Sequence, residues 1–510
     1  MNFTYSRQHL SGRERLLERL LEILPGATSW SLLIGMTALS FSKPILAAAL
    51  IIAFNLYWFL RLCYVTLFLV FSYIRLSLER DTDWMAKLSA VDREGSPETP
   101  SSEAIYHLVV IPVAKESAEV VEPGIAGLAS SHFPPQKILV IIALEQRAGE
   151  AIRKGLSEIR EKYAKHFFDF LIILHPDGLP GEARVKGANA ACAAKAAAAY
   201  FEERKIPFER VILSCFDADT VASPDYFSCL TYHFLRCPDR NRASFQPIPV
   251  YHNNIWEAPG FARVLDIGSS FFQMIEATNP EKLVTFSSHS MSFKALVDIG
   301  YWPVDIISDD SAIFWKAYLH YEGDYRVIPL YVTISMDVVH AGSWWKTIRS
   351  VYKQKRRWAW GVENFPIVIR GFLKAKKIPL SKKIRHAVKL FESHVAWATW
   401  AFLLTFIGWL PVLFAGREFS STVLYYTTPR ITGILFHLAS LSLATTVVLS
   451  LSLLPKKKIR YSRLKRVGHA LEWCLVPFVV TFLSALPALD AQTRLLFGNY
   501  MEFWVTDKKR

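Results

Sequence analysis

From Trp30 to Leu76 the chain carries no charge except on Lys43, Arg61 and Arg75. Nothing in the sequence constrains the fold more, because a run of that length and composition has no place in the core of a water-soluble domain. One helical span takes ~20 residues, so the run is long enough for two. "FSKP" at 41–44 supplies the turn between them. With 52% hydrophobic residues, including Trp 15 and Phe 34, the whole chain is too apolar for an ordinary soluble enzyme. Two further apolar runs come late, "HVAWATWAFLLTFIGWLPVLFAG" (394–416) and "ITGILFHLASLSLATTVVLSLSLLP" (431–455). A third, 471–489, is interrupted by Pro477 and Pro487 and reads as a span or a re-entrant segment.

The formal charge of +14 suits nucleic acid, anionic lipid or a phosphorylated substrate, and its distribution decides among them. Cations cluster at the edges of the apolar runs, in "KAKKIPLSKKIRH" (374–386) and "KKKIRYSRLKR" (456–466). No recognised nucleic-acid module accompanies them, so membrane lipid is the expected partner and nucleic acid is not. The 456–466 loop holds seven cations and the 417–430 loop two. The first should therefore be cytoplasmic and the second outside, which puts the long middle segment in the cytoplasm after an even number of spans. Six cysteines without a CxxC pair read as reduced thiols. No signal-peptide pattern is expected, since the first apolar run begins near Trp30 and continues far beyond an h-region. "SGRERLLERLLEILPG" opens with Ser11 and Glu14 at capping-box spacing. Leu16, Leu17, Leu20, Leu21 and Leu24 share a helical face, and Pro25-Gly26 is expected to stop the helix. Such a helix would lie at the membrane interface or pack on the protein.

The middle segment alternates between two periods. "YHLVVIPV" (106–113), "KILVIIAL" (137–144), "FDFLIILH" (168–175) and "RVILSCFDAD" (210–219) are continuous apolar runs. Helix-compatible segments at 120–131, 148–165 and 186–204 separate them. Apolar strands with helical crossovers predict an α/β domain on a mostly parallel buried sheet. The expected organisation is an interfacial helix at 1–27, two transmembrane segments at 28–76, a linker at 77–103, and the α/β domain at 104–372. A basic interfacial segment at 373–393, spans at 394–416 and 431–455, a span or re-entrant segment at 471–489 and a basic tail at 490–510 complete it.

Ligands of such domains gather at the carboxyl ends of the strands. Asp217 and Asp219 leave the fourth apolar run there, and two carboxylates one residue apart can address one divalent cation, Mg²⁺ or Mn²⁺, together with substrate phosphates. "DTD" at 81–83 matches the same pattern but sits in the polar linker, where solvated carboxylates are expected. Asp309 and Asp310 precede a helix expected to begin near Ser311, as caps or as a base that deprotonates a hydroxyl. "KQKRRWAWG" (353–361) is a charge patch with two tryptophans, open to reading as a nucleic-acid patch, a membrane anchor or a solvated helix face.

Taken in order, a strand-end DxD, a later D-D before a helix and a Q-x-x-R-W resemble the membrane-bound family 2 glycosyltransferases, which include cellulose, chitin and hyaluronan synthases. The resemblance covers roughly residues 104–365 and is greatest, in its few spans, to bacterial inner-membrane members. It implies a GT-A-like domain with flanking transmembrane helices. It also implies roles. Pro112 and Glu116 in "VVIPVAKES" would lie near the nucleotide. Lys186 in "RVKGANAA" would face the donor diphosphate with Asn189 as helper. Asp217 and Asp219 would hold the diphosphate and its metal. Asp310 would be the catalytic base, with Asp309 where many relatives have Glu. Gln354, Arg357 and Trp358 would sit by the acceptor and the leaving diphosphate. Where many relatives have an aspartate-rich turn, "ALEQRAG" (143–149) offers Glu145 instead, with uridine the expected base. His289 in "TFSSHSMSF" falls in the acceptor-side region, as a contact or as a structural histidine. The tail "EFWVTDKKR" (502–510) resembles the F-x-V-T-x-K donor-pocket gate of cellulose synthases through Phe503, Val505, Thr506 and Lys508, or is a basic tail on lipid.

The expected activity is inverting transfer of a sugar from a nucleotide diphosphate sugar, expected to be a UDP-sugar, to a growing polysaccharide at the cytoplasmic face of a bacterial inner membrane. Transfer of one or a few sugars to a lipid acceptor is the alternative, and a non-catalytic scaffold on anionic lipid is the rival of another class. With only four or five spans visible, a homo-oligomer or a partner subunit is expected to complete any polymer channel.

Overall fold

Helix α1 runs from Gly12 to Ser42 without a stop at Pro25-Gly26. The Pro-Gly pair proves to be a crossing point. A Cβ on Gly26 would lie 2.8 Å from the Gln492 carbonyl oxygen, so glycine lets the Leu486–Leu496 helix press against α1. The leucine face is inverted relative to a soluble helix: Leu16, Leu20 and Leu24 are exposed, while Glu18 and Glu22 are buried. Glu18 pairs with Arg370, and Glu22 with Arg19 at 2.9 Å and Arg7 at 3.6 Å. A face of outward leucines suits lipid. Lys43 breaks the helix and Pro44 starts α2 (Pro44–Arg80), so the expected turn is where the chain turns. The structure is a computed structural model describing residues 3, 5–7, 9–95, 100–414, 416–455, 468 and 471–504. The Lys/Arg loop at 456–466 lies outside the described residues.

The segment expected as a linker at 77–103 is largely ordered. It contains the last turn of α2 and then α3 (Trp84–Glu94), whose Trp84, Leu88 and Val91 are buried in the domain core. Asp83 caps α3 by accepting the Ala86 amide at 2.8 Å, which gives one carboxylate of the spurious DxD a structural job.

Strands β1 (Tyr106–Val113), β2 (Ile138–Glu145), β3 (Asp169–His175) and β4 (Val211–Cys215) coincide with the four apolar runs and pair in parallel. Helices α4 (Ala118–Ala129), α5 (Glu150–Tyr163) and α6 (Lys186–Glu203) are the crossovers. The strands are apolar without alternation because both faces are covered. Leu108 and Val110 enter one core, and Val109 and Ile111 the other. After β5 (Val221–Ala222) and α7 (Tyr226–Arg236) the second half adds β6 (Ala243–Val250), α8 (Gly260–Ala277), β7 (Ser290–Ser292), α9 (Phe293–Asp298), α10 (Asp309–His320) and β8 (Arg326–Ser335). The order across the sheet is β3-β2-β1-β4-β7-β6-β8-β5. Only β7 and β5 run antiparallel to their neighbours, so the sheet is mostly parallel as expected.

The chain continues in α11 (Trp344–Ala359), α12 (Asn364–Lys374) and α13 (Leu380–Thr405). Among the described residues, four helices are long and apolar enough to cross a membrane: α1, α2, Val423–Leu453 and the irregular Glu472–Leu496. The α13 helix with Ile407–Leu413, bent by 44°, makes a fifth candidate. All six cysteines are free.

Candidate active site

Two adjoining clefts open at the carboxyl ends of the parallel strands. The first is lined by Asp217, Asp219, Asp309, Asp310, Gln354 and Trp358 among others. The second is lined by Pro112 and Glu116 after β1, Glu145 at the end of β2, and Asn189 and Phe503. Lys186, Asp217 and Arg357 line both, so the clefts are two halves of one site.

Lys186 is the hinge of this arrangement. It is the first residue of α6, and its Nζ lies 2.7 Å from Asp217 Oδ1 and 2.9 Å from Asp310 Oδ1. Burial works against the ammonium, but Asp217, Asp310 and Asp309 outweigh it and hold the pKa well above that of an ordinary lysine. Gly187 explains how α6 comes so close. A Cβ there would meet the Pro303 carbonyl oxygen at 2.7 Å and Asp309 Cβ at 3.1 Å.

The two aspartates of the DxD differ. Asp217 faces the cleft with its side chain 30% exposed, and its Oδ2 accepts from Ser287 Oγ. Its amide donates to Ser288 Oγ at 3.0 Å, and that hydroxyl also contacts Thr220 Oγ1 at 2.7 Å. Ser288 takes φ +59, an unusual conformation for a residue with a Cβ, at the point where it steadies Asp217. Asp219 is buried and accepts the Asp337 amide at 2.8 Å. Asp337 lines the same cleft. The carboxylates of Asp217, Asp219 and Asp337 line one cleft and are hard oxygen donors, the ligand type that Mg²⁺ or Mn²⁺ takes.

Helix α10 starts at Asp309, two residues before the expected Ser311. Asp309 is buried with Oδ2 lacking a hydrogen-bond partner. Burial, reinforced by Asp310, pushes its pKa up to about 8 while Lys186 pulls the other way. The side chain of Asp310 is 27% exposed and faces the first cleft. Asp309 is thus buried while the neighbouring Asp310 is accessible from the cleft.

Gln354, Arg357 and Trp358 come to the cleft from α11. Gln354 Oε1 and Arg357 Nε are buried without a hydrogen-bond partner, which leaves them for a ligand to satisfy. Trp358 meets the Phe286 edge at 5.7 Å, and Lys355 Nζ lies 3.8 Å over its ring. Arg357 in turn lies 4.9 Å over Phe503, which brings the start of the tail to the second cleft. Val505, Thr506 and Lys508 lie outside the described residues.

In the second cleft Glu116 accepts the amides of Ala114 at 2.8 Å and Lys115 at 3.0 Å. Glu145 is buried beside Arg147 at 3.4 Å and His175 at 3.7 Å. Asn189 donates to the Ala143 carbonyl at 2.7 Å.

One candidate stands apart. His289 is fully buried behind Asp310, with Nδ1 on the Phe286 carbonyl at 3.1 Å, and it lines neither cleft. Burial lowers its pKa to about 4, so it is a neutral ring in the wall. Its neighbours Ser287 and Ser288 make the contacts to Asp217 instead. Sequence reasoning also passed over Glu363, which is buried in the turn after α11. It accepts from the amides of Ile307 (3.1 Å) and Ser308 (3.0 Å), Ser308 Oγ (2.9 Å), Trp360 Nε1 (3.0 Å) and Arg7 (3.0 Å). It thereby fixes the loop that delivers Asp309 and Asp310.

The chain is similar to several known proteins. The chain is 24% identical over 261 residues to a poly-beta-1,6-N-acetyl-D-glucosamine synthase of Staphylococcus epidermidis, covering 50% of this chain and 57% of that protein. A synthase of the same name from Staphylococcus aureus is 36% identical over 89 residues, 17% of this chain and 19% of the relative. The chain thus spans little more than half the length of the first of these curated relatives. A mannosyltransferase from Pyrobaculum calidifontis, solved with GDP-Man and Mn²⁺, aligns with a TM-score of 0.38 and 14% identity over 84% of this chain and 99% of that one. The model of glycosyl transferase family group 2 matches residues 212–486, from β4 and its DxD through Asp310 and the Q-x-x-R-W to the last apolar helix, and this chain belongs to that family.

Proposed function

We propose that the protein transfers a sugar from a nucleoside diphosphate sugar to a growing polysaccharide, with inversion at the anomeric carbon, at the cytoplasmic face of a bacterial inner membrane. The observation that carries the reading is convergence. Asp217, Asp310 and Arg357, far apart in sequence, line one cleft around Lys186, and that cleft continues into a second one with Glu116 and Glu145.

In this reading the nucleotide occupies the second cleft, with Pro112, Glu116 and Glu145 around it, and uridine is the base we propose. The diphosphate lies at the shared wall. There Lys186 exchanges its two carboxylate partners for phosphate oxygens, and Arg357 engages them with its planar fork. Breaking the Lys186–Asp310 contact frees the Asp310 carboxylate to take the proton from the acceptor hydroxyl as that oxygen attacks. Asp217 and Asp219, with Asp337 beside them, would hold a divalent cation, Mg²⁺ or Mn²⁺, whose charge balances the departing diphosphate. Trp358 presents the ring face opposite Lys355 to the acceptor sugar, and Gln354 offers its unpartnered oxygen to a hydroxyl.

Transfer to a lipid acceptor is a second reading, favoured by the small number of candidate spans. A second copy or a partner subunit would be needed to enclose a polymer path. The test uses the full chain in detergent with Mn²⁺ and a panel of nucleotide sugars, following release of nucleoside diphosphate and sizing the product. Asp310→Asn should lower turnover by at least ~10³-fold with donor binding largely retained. Full turnover in that variant would remove the base assignment, and no donor binding by wild type would favour a lipid-binding scaffold. A product of one or two sugars on lipid would select the second reading.

A further inference from the structure

A second group of ligating side chains lies away from the clefts, where the end of a membrane helix meets the catalytic domain. Cys229 and His233 are four positions apart on α7 and so share one face of that helix. Glu79, in the last turn of α2, lies against them. One donor atom from each residue lies within 4.8 Å of the donors of the other two.

The surroundings leave these donors uncommitted. Glu79 Oε1 takes the Arg75 guanidinium at 2.8 Å, while Glu79 Oε2 is buried without a hydrogen-bond partner. His233 Nε2 is likewise buried without one. An unpartnered carboxylate oxygen and an unpartnered imidazole nitrogen beside a buried thiol form an expensive arrangement for a bare protein core. Arg75 and Lys87 are the opposing charges. Arg75 is already engaged by Glu79 and lies 4.1 Å over the Tyr331 ring, and Lys87 lies 4.6 Å over Trp84.

Thiolate, imidazole and carboxylate together are a borderline-soft set, unlike the all-oxygen set of the DxD, and three such ligands with a fourth position for water suit Zn²⁺. We propose that Glu79, Cys229 and His233 form a zinc site that fastens the end of α2 to α7 of the catalytic domain. A metal at this joint ties the chain as it leaves the membrane to the domain that must face the membrane.

Co²⁺ reads out the site directly. Full-length protein in detergent is stripped with chelator and titrated with Co²⁺. Wild type should take up one equivalent with a thiolate-to-cobalt band in the near ultraviolet, and Zn²⁺ should displace it. Asp217→Asn/Asp219→Asn should keep that band, since those carboxylates belong to the other site. Cys229→Ser should lose it, and His233→Asn should weaken Co²⁺ binding by at least ~10-fold. Zn²⁺ should raise the melting temperature of wild type and of the double aspartate variant, but not that of Cys229→Ser. Absence of the band in wild type, or its survival in Cys229→Ser, would overturn the site whatever the outcome for sugar transfer.

Discussion

Lys355 and Arg357 stand two positions apart on α11 and face different partners. Arg357 points into the clefts, whereas Lys355 is buried against Asp266 at 3.0 Å and Ser269 Oγ at 3.0 Å. Burial lowers the Lys355 pKa, with Asp266 opposing. Removing one partner of such a pair strands the other charge, so Lys355→Met should destabilise the protein by ~3–5 kcal/mol. Lys355→Met/Asp266→Leu should recover most of that loss, as measured by thermal unfolding in detergent. A double variant no more stable than the single one would show that the pair is not the source of the loss. The spacing of Gln354, Arg357 and Trp358 was legible because it is fixed within one helix. The fate of the cations between them was not. Along the chain, Lys353, Lys355 and Arg356 are only part of a charge patch open to reading as a nucleic-acid patch, a membrane anchor or a solvated helix face. In fact Lys355 meets a carboxylate on α8, Arg356 pairs with Asp490 at 2.9 Å, and Lys353 lies 4.9 Å over Trp504. Pairings at such separations leave no local pattern.

At the scale of elements, the position of α10 rests on contacts from the first residues of the chain and from the turn after α11. Tyr5 donates to the Ala312 carbonyl at 3.0 Å, and Ser6 donates to Asp305 in the loop before α10. Arg7 reaches Glu363, whose carboxylate holds the amides of Ile307 and Ser308. Asn364 adds bonds to Ser308 Oγ at 2.9 Å and Ser311 Oγ at 3.0 Å. Glu363 touches no cleft-facing atom of Asp310, so its effect on chemistry is positional. Glu363→Gln replaces one acceptor oxygen by a donor where every neighbour donates. Turnover should fall by roughly 10–10²-fold through displacement of the loop, with donor KM nearly unchanged. A rise in donor KM with unchanged kcat would contradict the positional role. The strands and crossovers could be read directly because hydrophobic period reports burial on both faces. The Pro25-Gly26 stop failed for the converse reason. Pro and Gly mark helix ends when the backbone there meets water, but at this position Gly26 meets another helix.

At the scale of the whole molecule the question is which apolar helices cross. Glu472–Leu496 is long and apolar enough, yet both its ends touch the catalytic domain. Near its start, Glu472 lies 3.7 Å from Arg263 and Trp473 stacks on Phe271, both partners on α8. Near its end, Asp490 pairs with Arg356 and accepts from Tyr352 at 3.1 Å, both on α11. A straight crossing would carry Asp490 ~27 Å from Glu472 along the bilayer normal, about the thickness of the hydrocarbon core. The π-helical turn at Thr481–Ala485 interrupts the run midway. We propose that this segment follows a re-entrant path across the membrane face of the domain, which these contacts favour over a crossing. On that proposal four candidate crossings remain among the described residues: α1, α2, the bent α13 segment and Val423–Leu453, whose Thr432 accepts from Asn55 of α2 at 3.2 Å. An even number returns the chain to its starting side, in accord with Arg7 on Glu363 and Phe503 beneath Arg357. Expressed in bacteria, a fluorescent protein fused after Arg510 should therefore glow, and alkaline phosphatase fused there should be inactive. Phosphatase inserted in the 416–422 turn should be active. An active phosphatase at the C-terminus would mean that Glu472–Leu496 crosses after all, which would take the tail away from the donor cleft and remove Phe503 from its wall.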